Sequence, residues 1–423
     1  MWFLKDTPAL LTDLYELTMA QVYFKKGFND PAAFEVTIRR LPEHWGFFVM
    51  AGLAELQSYL GQFRFSGSDI DYLRSTNMFE QDFLDFLKRI RLDVQIRSLP
   101  EGTVFFPNEP ALEVTGPILA AQLLESYILN ILGFSIIEAT LAARITIAAR
   151  DIPVVDFGLR RAQGPIASIR SARAAQIAGF KATSNCFAAR VLDFPAAGTM
   201  AHSFVEIHDS QEQAFHNFSL QYGENAILLI DTYDSIEGIR KAAAVAKEMV
   251  QKNQLKIRGI RLDSGDLVEL SKFARRHFQE QGVGWLRIFA SGDLDEFKIA
   301  SLLENGAQID GLGIGTNFAV SISAPAVEIV YKLVRYGQKD VAKTSPDKAS
   351  RPGRKSIHRI GDTKYQKDTV VPFDQTANDL LQPFRNAEDM AIIQDRLARE
   401  LSRLDDSIKR IRNPAQYDVE FNL

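Results

Sequence analysis

The sequence predicts an α/β fold, an irregular (β/α) barrel with a second α+β domain built from both chain ends, and three observations carry that prediction. Short apolar runs rich in Val, Ile, Leu and Phe recur at residues 153–157, 196–200, 227–230, 257–262, 286–290 and 309–314. Helix-length segments with apolar residues three and four apart separate most of them. The resulting strand–helix–strand interval of roughly 25–30 residues is the rhythm of a parallel α/β sheet or barrel. Both flanks lack this rhythm, which sets them apart as a separate unit.

In chain order, the N-terminal flank carries strand-like pieces at 93–97, 103–106 and 111–114, punctuated by the turn signals Pro100-Glu101-Gly102 and Gly116-Pro117. An amphipathic helix pair over 118–150 leads into the repeating segment. Within that segment, 234–251 reads as a helix opening after Asp231, with Ile236, Ile239, Ala243 and the apolar residues of 245–250 facing inward. Past Pro325, a strand-like 327–334 precedes a basic loop, 343–355, containing Pro346, Pro352 and Gly353. The tail, 387–412, reads as one charged packing helix with local pairs Glu400–Arg403 and Asp405–Lys409. The expected division is therefore 1–134 as the N-terminal part of the split domain, 135–326 as the barrel, and 327–423 as the C-terminal part.

Composition narrows the class. With 423 residues, 46% hydrophobic and 24% charged, the chain can bury a large core. Its formal net charge of −4 gives no argument for nucleic acid or an anionic membrane as partner. Lys5, Asp6 and Asp13 interrupt the stretch where an export signal needs an apolar run, and no segment reads as long enough to span a bilayer. A cytoplasmic protein is expected. Cys186 is the single cysteine, which excludes internal disulfides and cysteine-rich zinc modules, and it reads as a small buried apolar residue.

The polar residues fall where such a fold does chemistry. Asp156 closes the first run, Ser184 and Asn185 follow a short run near Lys181, and His202 follows Met200. Asp231 follows Ile230, Asp263 follows Leu262, Ser291 and Asp293 follow Ala290, and Gly315 and Thr316 follow Ile314. One acid after one strand is ordinarily a helix N-cap. A whole succession of strands ending this way points to the C-terminal face, where parallel barrels place their sites.

Each residue type then suggests a role beside its plainer reading. Gly311, Gly313 and Gly315, followed by Thr316, suit backbone N–H groups cradling a phosphate, although strand-end glycines also serve tight turns. No Gly-Lys-Ser/Thr loop exists, so any ATP site is not of the Walker type. Asp231, Asp263 and Asp293 could hold Mg²⁺ through water, grip ribose hydroxyls, or cap helices. Strand alternation points Arg261 and Asp263 to the same side, as an anion site or as a structural ion pair. His202 is one of six histidines; a lone histidine is usually structural or a cap, but its strand-end position makes it a candidate nucleophile or acid–base group. No histidine pair has metal-ligand spacing, which rejects a zinc hydrolase.

From Thr12 to about Arg359 the chain resembles the nicotinate phosphoribosyltransferases. The resemblance is carried by Thr12-Asp13-Leu14-Tyr15-Glu16-Leu17-Thr18-Met19, Phe34-Glu35 with Arg39 and Arg40, and Asp156-Phe157-Gly158-Leu159-Arg160-Arg161-Ala162-Gln163-Gly164-Pro165. Thr183-Ser184-Asn185, Gly198-Thr199-Met200-Ala201-His202-Ser203 and Asp231-Thr232-Tyr233-Asp234 continue it. Leu262-Asp263-Ser264-Gly265-Asp266-Leu267, Ala290-Ser291-Gly292-Asp293 and Gly313-Ile314-Gly315-Thr316 complete it in the family's order.

The resemblance implies an ATP-coupled transfer that joins nicotinate to phosphoribosyl pyrophosphate with Mg²⁺ present, in NAD synthesis or salvage. It places His202 as a phosphohistidine, Phe157 on one face of the pyridine ring, and Tyr15 on the other face from a neighbouring subunit, hence a homodimer with shared active sites. Arg160, Arg261 and Thr199 would orient nicotinate and the sugar, and Asp231, Asp263 and Asp293 the ribose, the metal or both. Ser291, Gly292, Asp293, Gly313, Gly315 and Thr316 would bind phosphate. Relatives using nicotinamide carry an aspartate where this chain has Ser184 and an acid where it has Ala201, so the resemblance favours the pyridine acid. The chain departs from the family in Lys181-Ala182, and the basic loop with Lys348 and Arg354 reads either as reaching phosphates in a partner's site or as solvated. Competing readings are a nicotinamide or quinolinate enzyme, and a catalytically silent nucleotide-binding barrel. An aldolase-like barrel lacks its strand-end lysine.

Overall fold

The computed structural model describes residues 8–345, 350–384 and 387–423. Lys5, Asp6, Pro346 and Lys348, used above, lie outside them. The chain forms two compact units, Met1–Ile137 with Ala326–Leu423, and Glu138–Pro325.

In the unit Glu138–Pro325, six short parallel strands follow one another: β1 (Val154–Asp156), β2 (Ala182–Thr183), β3 (Ile227–Leu229), β4 (Gly259–Leu262), β5 (Arg287–Ala290) and β6 (Gly311–Ile314). They pair in the order β2-β1-β6-β5-β4-β3, an open curled sheet. Helices α1 (Pro165–Ile177), α2 (Cys186–Val191), α3 (His202–Glu206), α4 (Gln211–Tyr222), α5 (Ser235–Asn253), α6 (Leu267–Glu280), α7 (Glu296–Glu304) and α8 (Thr316–Ala319) fill the intervals.

One expected strand is missing. Residues 196–200 contribute a single bridge, Ala196 to Thr183, and otherwise run as loop. Pro195 has no N–H for a ladder and Gly198 offers no side chain to pack, so the apolar character here serves a pocket wall rather than a strand. The barrel is therefore a half barrel. Helix α5 opens after Asp234, whose carboxylate accepts the Glu237 N–H at 2.8 Å, and not after Asp231. Ile239, Ala242, Ala243, Val245, Ala246 and Met249 form its buried face.

The other unit is built on an antiparallel six-stranded sheet whose central strand, Pro31–Ile38, pairs with Ile329–Tyr336 on one side and Leu112–Pro117 on the other. A three-stranded sheet joins Lys355–Ile360, Lys367–Pro372 and Asp418–Phe421. An aromatic-rich core gathers Leu17, Phe65, Phe79, Phe83 and Leu87.

Four further expectations change. Helix Glu125–Ala149 is long and apolar enough to cross a bilayer by length and composition, but 83% of its apolar 18-residue window is buried inside the protein, as a core helix is. Cys186 is exposed, because it opens α2 on the side opposite the buried Ala188 and Ala189. The tail helix covers only Met390–Arg403, since Leu404 turns extended to bury itself. Glu400 then accepts from Arg359 at 2.6 Å and from the Tyr365 hydroxyl at 2.9 Å, while Lys409 pairs with Asp406. In the basic loop, Arg354 grips Glu113 through two nitrogens at 2.7 and 3.1 Å, and buried Lys355 meets Glu35 at 2.7 Å. Arg354 and Lys355 are thus engaged within their own unit.

The parallel unit also holds a carboxyl that its burial keeps largely protonated. Glu138 is fully buried, accepts the Ser321 hydroxyl at 2.5 Å through Oε1, and has no partner at Oε2. Burial pushes its pKa up to about 8. A folded value above the unfolded one means the native state holds the extra proton, so this group's contribution to stability falls as pH rises from about 4.5 to 8. Glu138→Gln removes that loss. Its Tm should match the unaltered chain near pH 5 and exceed it at pH 8, by about 1–3 kcal/mol in stability. Parallel pH profiles for the two proteins would exclude this assignment.

Candidate active site

The C-terminal ends of the strands face two adjoining cavities. The first, of about 300 Å³, is lined by Phe157, Leu159, Arg160, Ser184, Gly198, Thr199, Met200, Ala201 and Arg261. The second, of about 110 Å³, is lined by Phe157, Arg160, Arg161, Arg261, Asp263, Ser291, Gly292, Asp293, Gly313, Gly315 and Thr316. Phe157, Arg160 and Arg261 form the wall between them. An apolar and aromatic slot with two hydroxyls, Ser184 and Thr199, beside a narrow cleft rich in arginine is suited to a flat ring next to a phosphate-bearing group.

Arg261 organises the junction. Its Nε donates to Ser291 Oγ at 2.7 Å, Nη1 to Thr199 Oγ1 at 3.1 Å and Nη2 to Asp263 Oδ1 at 2.6 Å. The same-side placement expected from strand alternation is thus realised. The guanidinium carbon sits 5.4 Å from the centre of the Phe157 ring, within cation–π range. Burial pushes the Asp263 carboxyl up, but the Ser291 hydroxyl, the Arg261 charge and His202 together outweigh it and hold Asp263 below the usual range. Asp263 is an anion at neutral pH.

Arg160 and Arg161 are exposed and have no ion-pair partner among the described residues. Arg161 stands in the second cavity without having been singled out from the sequence, where it was only one of a pair of arginines after a strand. Ser291 lies in this cavity too, but its hydroxyl donates to Asp263 Oδ1 at 2.5 Å, so it braces the Arg261–Asp263 pair instead of standing free.

Gly313 has a specific packing reason. A Cβ there would lie 2.4 Å from Phe157 Cε2, so only glycine lets the ring lie against β6. Gly313→Ala is expected to displace the ring, raising KM for the ring substrate about tenfold with a small change in Tm. An unchanged KM would show that the ring is not a wall of the binding slot. Gly315 precedes α8, at whose start Thr316 reaches the second cavity.

His202 and Asp231 lie beside these cavities and line neither. His202 opens α3, and its Nδ1 is 3.1 Å from Thr232 Oγ1, which leaves Nε2 without a protein partner among the described residues. Asp231 Oδ2 accepts from the Asp263 N–H at 3.0 Å and the Ser264 hydroxyl at 2.6 Å, while Oδ1 is buried with no partner. Asp231 therefore does not act as a helix cap. No group of three or more metal-capable side chains occurs among the described residues.

Tyr15 belongs to the other unit, on helix Leu14–Lys26. It is 46% exposed, which sets aside a core role, and its hydroxyl donates to Glu125 at 3.0 Å. Burial, reinforced by Glu125 and Glu16, holds that hydroxyl well above its ordinary range, so it stays neutral.

A curled parallel sheet with two adjoining cavities at its strand ends has the architecture of an α/β enzyme. Comparison with known proteins makes this specific. Residues 10–133 match the nicotinate phosphoribosyltransferase N-terminal domain and residues 152–377 the nicotinate phosphoribosyltransferase family. The chain belongs to that family. It is 43% identical over 373 residues to nicotinate phosphoribosyltransferase pncB2 of Mycobacterium tuberculosis, covering 86% of this chain and 80% of the relative. Against the nicotinate phosphoribosyltransferase of Bacillus subtilis it is 38% identical over 388 residues, covering 89% and 79%. The crystal structure of human nicotinic acid phosphoribosyltransferase superposes with a TM-score of 0.83 at 26% identity, covering 97% of each chain. The nicotinate-nucleotide pyrophosphorylase from Pyrococcus furiosus gives 0.76 at 26% identity, covering 94% and 97%.

Proposed function

We propose that this chain transfers the phosphoribosyl group of phosphoribosyl pyrophosphate to nicotinate, releasing pyrophosphate and forming nicotinate mononucleotide, with ATP hydrolysis driving the step. The observation that carries this reading is the pair of adjoining cavities sharing Phe157, Arg160 and Arg261. The larger accepts a pyridine ring flat against Phe157. Ser184 offers its carboxylate a hydroxyl donor, and Arg160 and Arg261 supply positive charge. The smaller suits the 5-phosphate, with Arg161, Gly315 and Thr316 around it.

In the reaction the pyridine nitrogen attacks C1 of the ribose as pyrophosphate departs. Positive charge develops on the ring and negative charge on the leaving oxygen. Asp263, held ionised by its neighbours, stabilises the first, and Arg261 the second, both from fixed positions. Mg²⁺ fits as an ion carried on the substrate, because one or two carboxylates with phosphate oxygens and water satisfy it. The unpartnered Oδ1 of Asp231 and the carboxylate of Asp293 are the groups that would hold it. When bound, it would neutralise charge on the leaving pyrophosphate. His202 would take a phosphoryl group from ATP at Nε2. Tyr15 would cover the ring's other face in a neighbouring subunit, making the working form a homodimer.

The test is product formation from phosphoribosyl pyrophosphate and Mg²⁺ with nicotinate or nicotinamide, each with and without ATP. Nicotinate mononucleotide formed faster with ATP is expected. Product from nicotinamide alone would overturn the role of Ser184, and no product from either would favour a silent nucleotide-binding barrel.

A further inference from the structure

Phe157 and Ser184 project from different loops, after β1 and after β2, yet both line one slot. Their relative placement depends on a side chain that touches neither cavity. Asp156, 1% exposed, ends β1. Its Oδ1 accepts the Gly158 N–H at 2.7 Å, and its Oδ2 accepts the Thr183 hydroxyl at 2.7 Å. Thr183 Oγ1 in turn accepts the Asn185 N–H at 3.1 Å. The Asp156 carbonyl accepts the Ser184 N–H at 2.7 Å. Thus the residues on both sides of Phe157 and on both sides of Ser184 are tied to one carboxylate or its relay. Thr183 and Asn185 are buried with it, so no water competes.

We propose that Asp156 is a positioning residue for pyridine recognition, its two carboxylate oxygens clamping the Phe157 loop to the Ser184 loop through Thr183 and so setting the slot for the acid over the amide. This rests on the reading of the slot given above. Two acceptors on one rigid plane can hold two loops at once. An amide cannot do so without turning one acceptor into a donor. The clamped loop also lends Phe157, Arg160 and Arg161 to the phosphate cleft, but the opposite residues of that cleft have their own bracing, through Arg261, Ser291 and Asp263.

The experiment compares Thr183→Val, which is isosteric and lacks the relay hydroxyl, with Thr183→Ser, which keeps it. Asp156→Asn is a second probe of the same clamp. Steady-state kinetics are run with each substrate varied, after turnover of nicotinate by the unaltered chain is verified. Thr183→Val should raise the nicotinate KM about tenfold and lower the nicotinate-to-nicotinamide ratio of kcat/KM, with a smaller rise of about threefold in KM for phosphoribosyl pyrophosphate, whose cleft shares Phe157 and Arg160 but keeps its Arg261–Ser291–Asp263 side. Thr183→Ser should restore the nicotinate KM to within about twofold of the unaltered value. Equal rises in both KM values, an unchanged nicotinate KM, or a serine variant as impaired as the valine one would overturn the clamp alone. Absence of nicotinate turnover in the unaltered chain would overturn the slot reading together with it.

Discussion

Replacing Arg261 by lysine should lower kcat/KM by about 10²–10³-fold while leaving the fold intact. The guanidinium makes three directed contacts, to Ser291, Thr199 and Asp263, in one plane. A lysine ammonium is a point charge on a flexible stem and can reproduce one of them well. The loss should appear for both substrates, since Arg261 lines both cavities. It should fall mainly on kcat if the arginine acts on charge that develops during reaction, and on KM if it only binds. Arg261→Ala should cost more, because it leaves the half-buried Asp263 without its cation. The Asp263 carboxyl would then rise toward or above its ordinary range, and activity should fall away at a higher pH than in the unaltered enzyme as acid is added. A decline confined to one substrate in either variant would contradict the shared-wall role.

Much of this site could be read from the amino-acid order because its residues sit at strand ends, where an apolar run gives way to a single polar residue. Arg261, on β4, and Asp263, the first residue past its end, are two apart, so alternation alone puts them side by side, and the 2.6 Å contact follows. The residues at the ends of β5 and β6 gather into one cleft for the same reason. Patterns failed where tertiary packing overrode local composition. Residues 196–200 are apolar enough for a strand, yet Pro195 and Gly198 leave them as a loop lining the slot. Cys186 has the chemistry of a core residue, but the face of α2 on which it falls depends on where Asn185 caps that helix. The Asp156–Thr183 clamp was hidden because a buried hydrogen bond leaves no periodic trace; both residues look like ordinary strand ends. Gly313 looked like a phosphate-loop glycine, and only the position of the Phe157 ring reveals the space it vacates.

The second large effect is expected at His202. His202 Nδ1 lies 3.1 Å from Thr232 Oγ1, and in the tautomer whose Nδ1–H donates to that hydroxyl, Nε2 carries the lone pair required for attack on a terminal phosphoryl group. The ring is half-buried at the first turn of α3 and packs no core, so its removal should cost little stability. His202→Ala should therefore keep its Tm within about 2 °C, following the size of a surface change. It should lose ATP hydrolysis, ATP stimulation and any acid-labile phosphate label acquired from ATP. Transfer without ATP should persist, because Arg261, Asp263 and both cavities are untouched. That split separates a phosphoryl acceptor from an acid–base group for the transfer itself, whose loss would depress both rates alike. A variant that still gains speed from ATP would move the phosphoryl acceptor elsewhere, and one that loses the ATP-free reaction as well would make His202 part of the transfer chemistry.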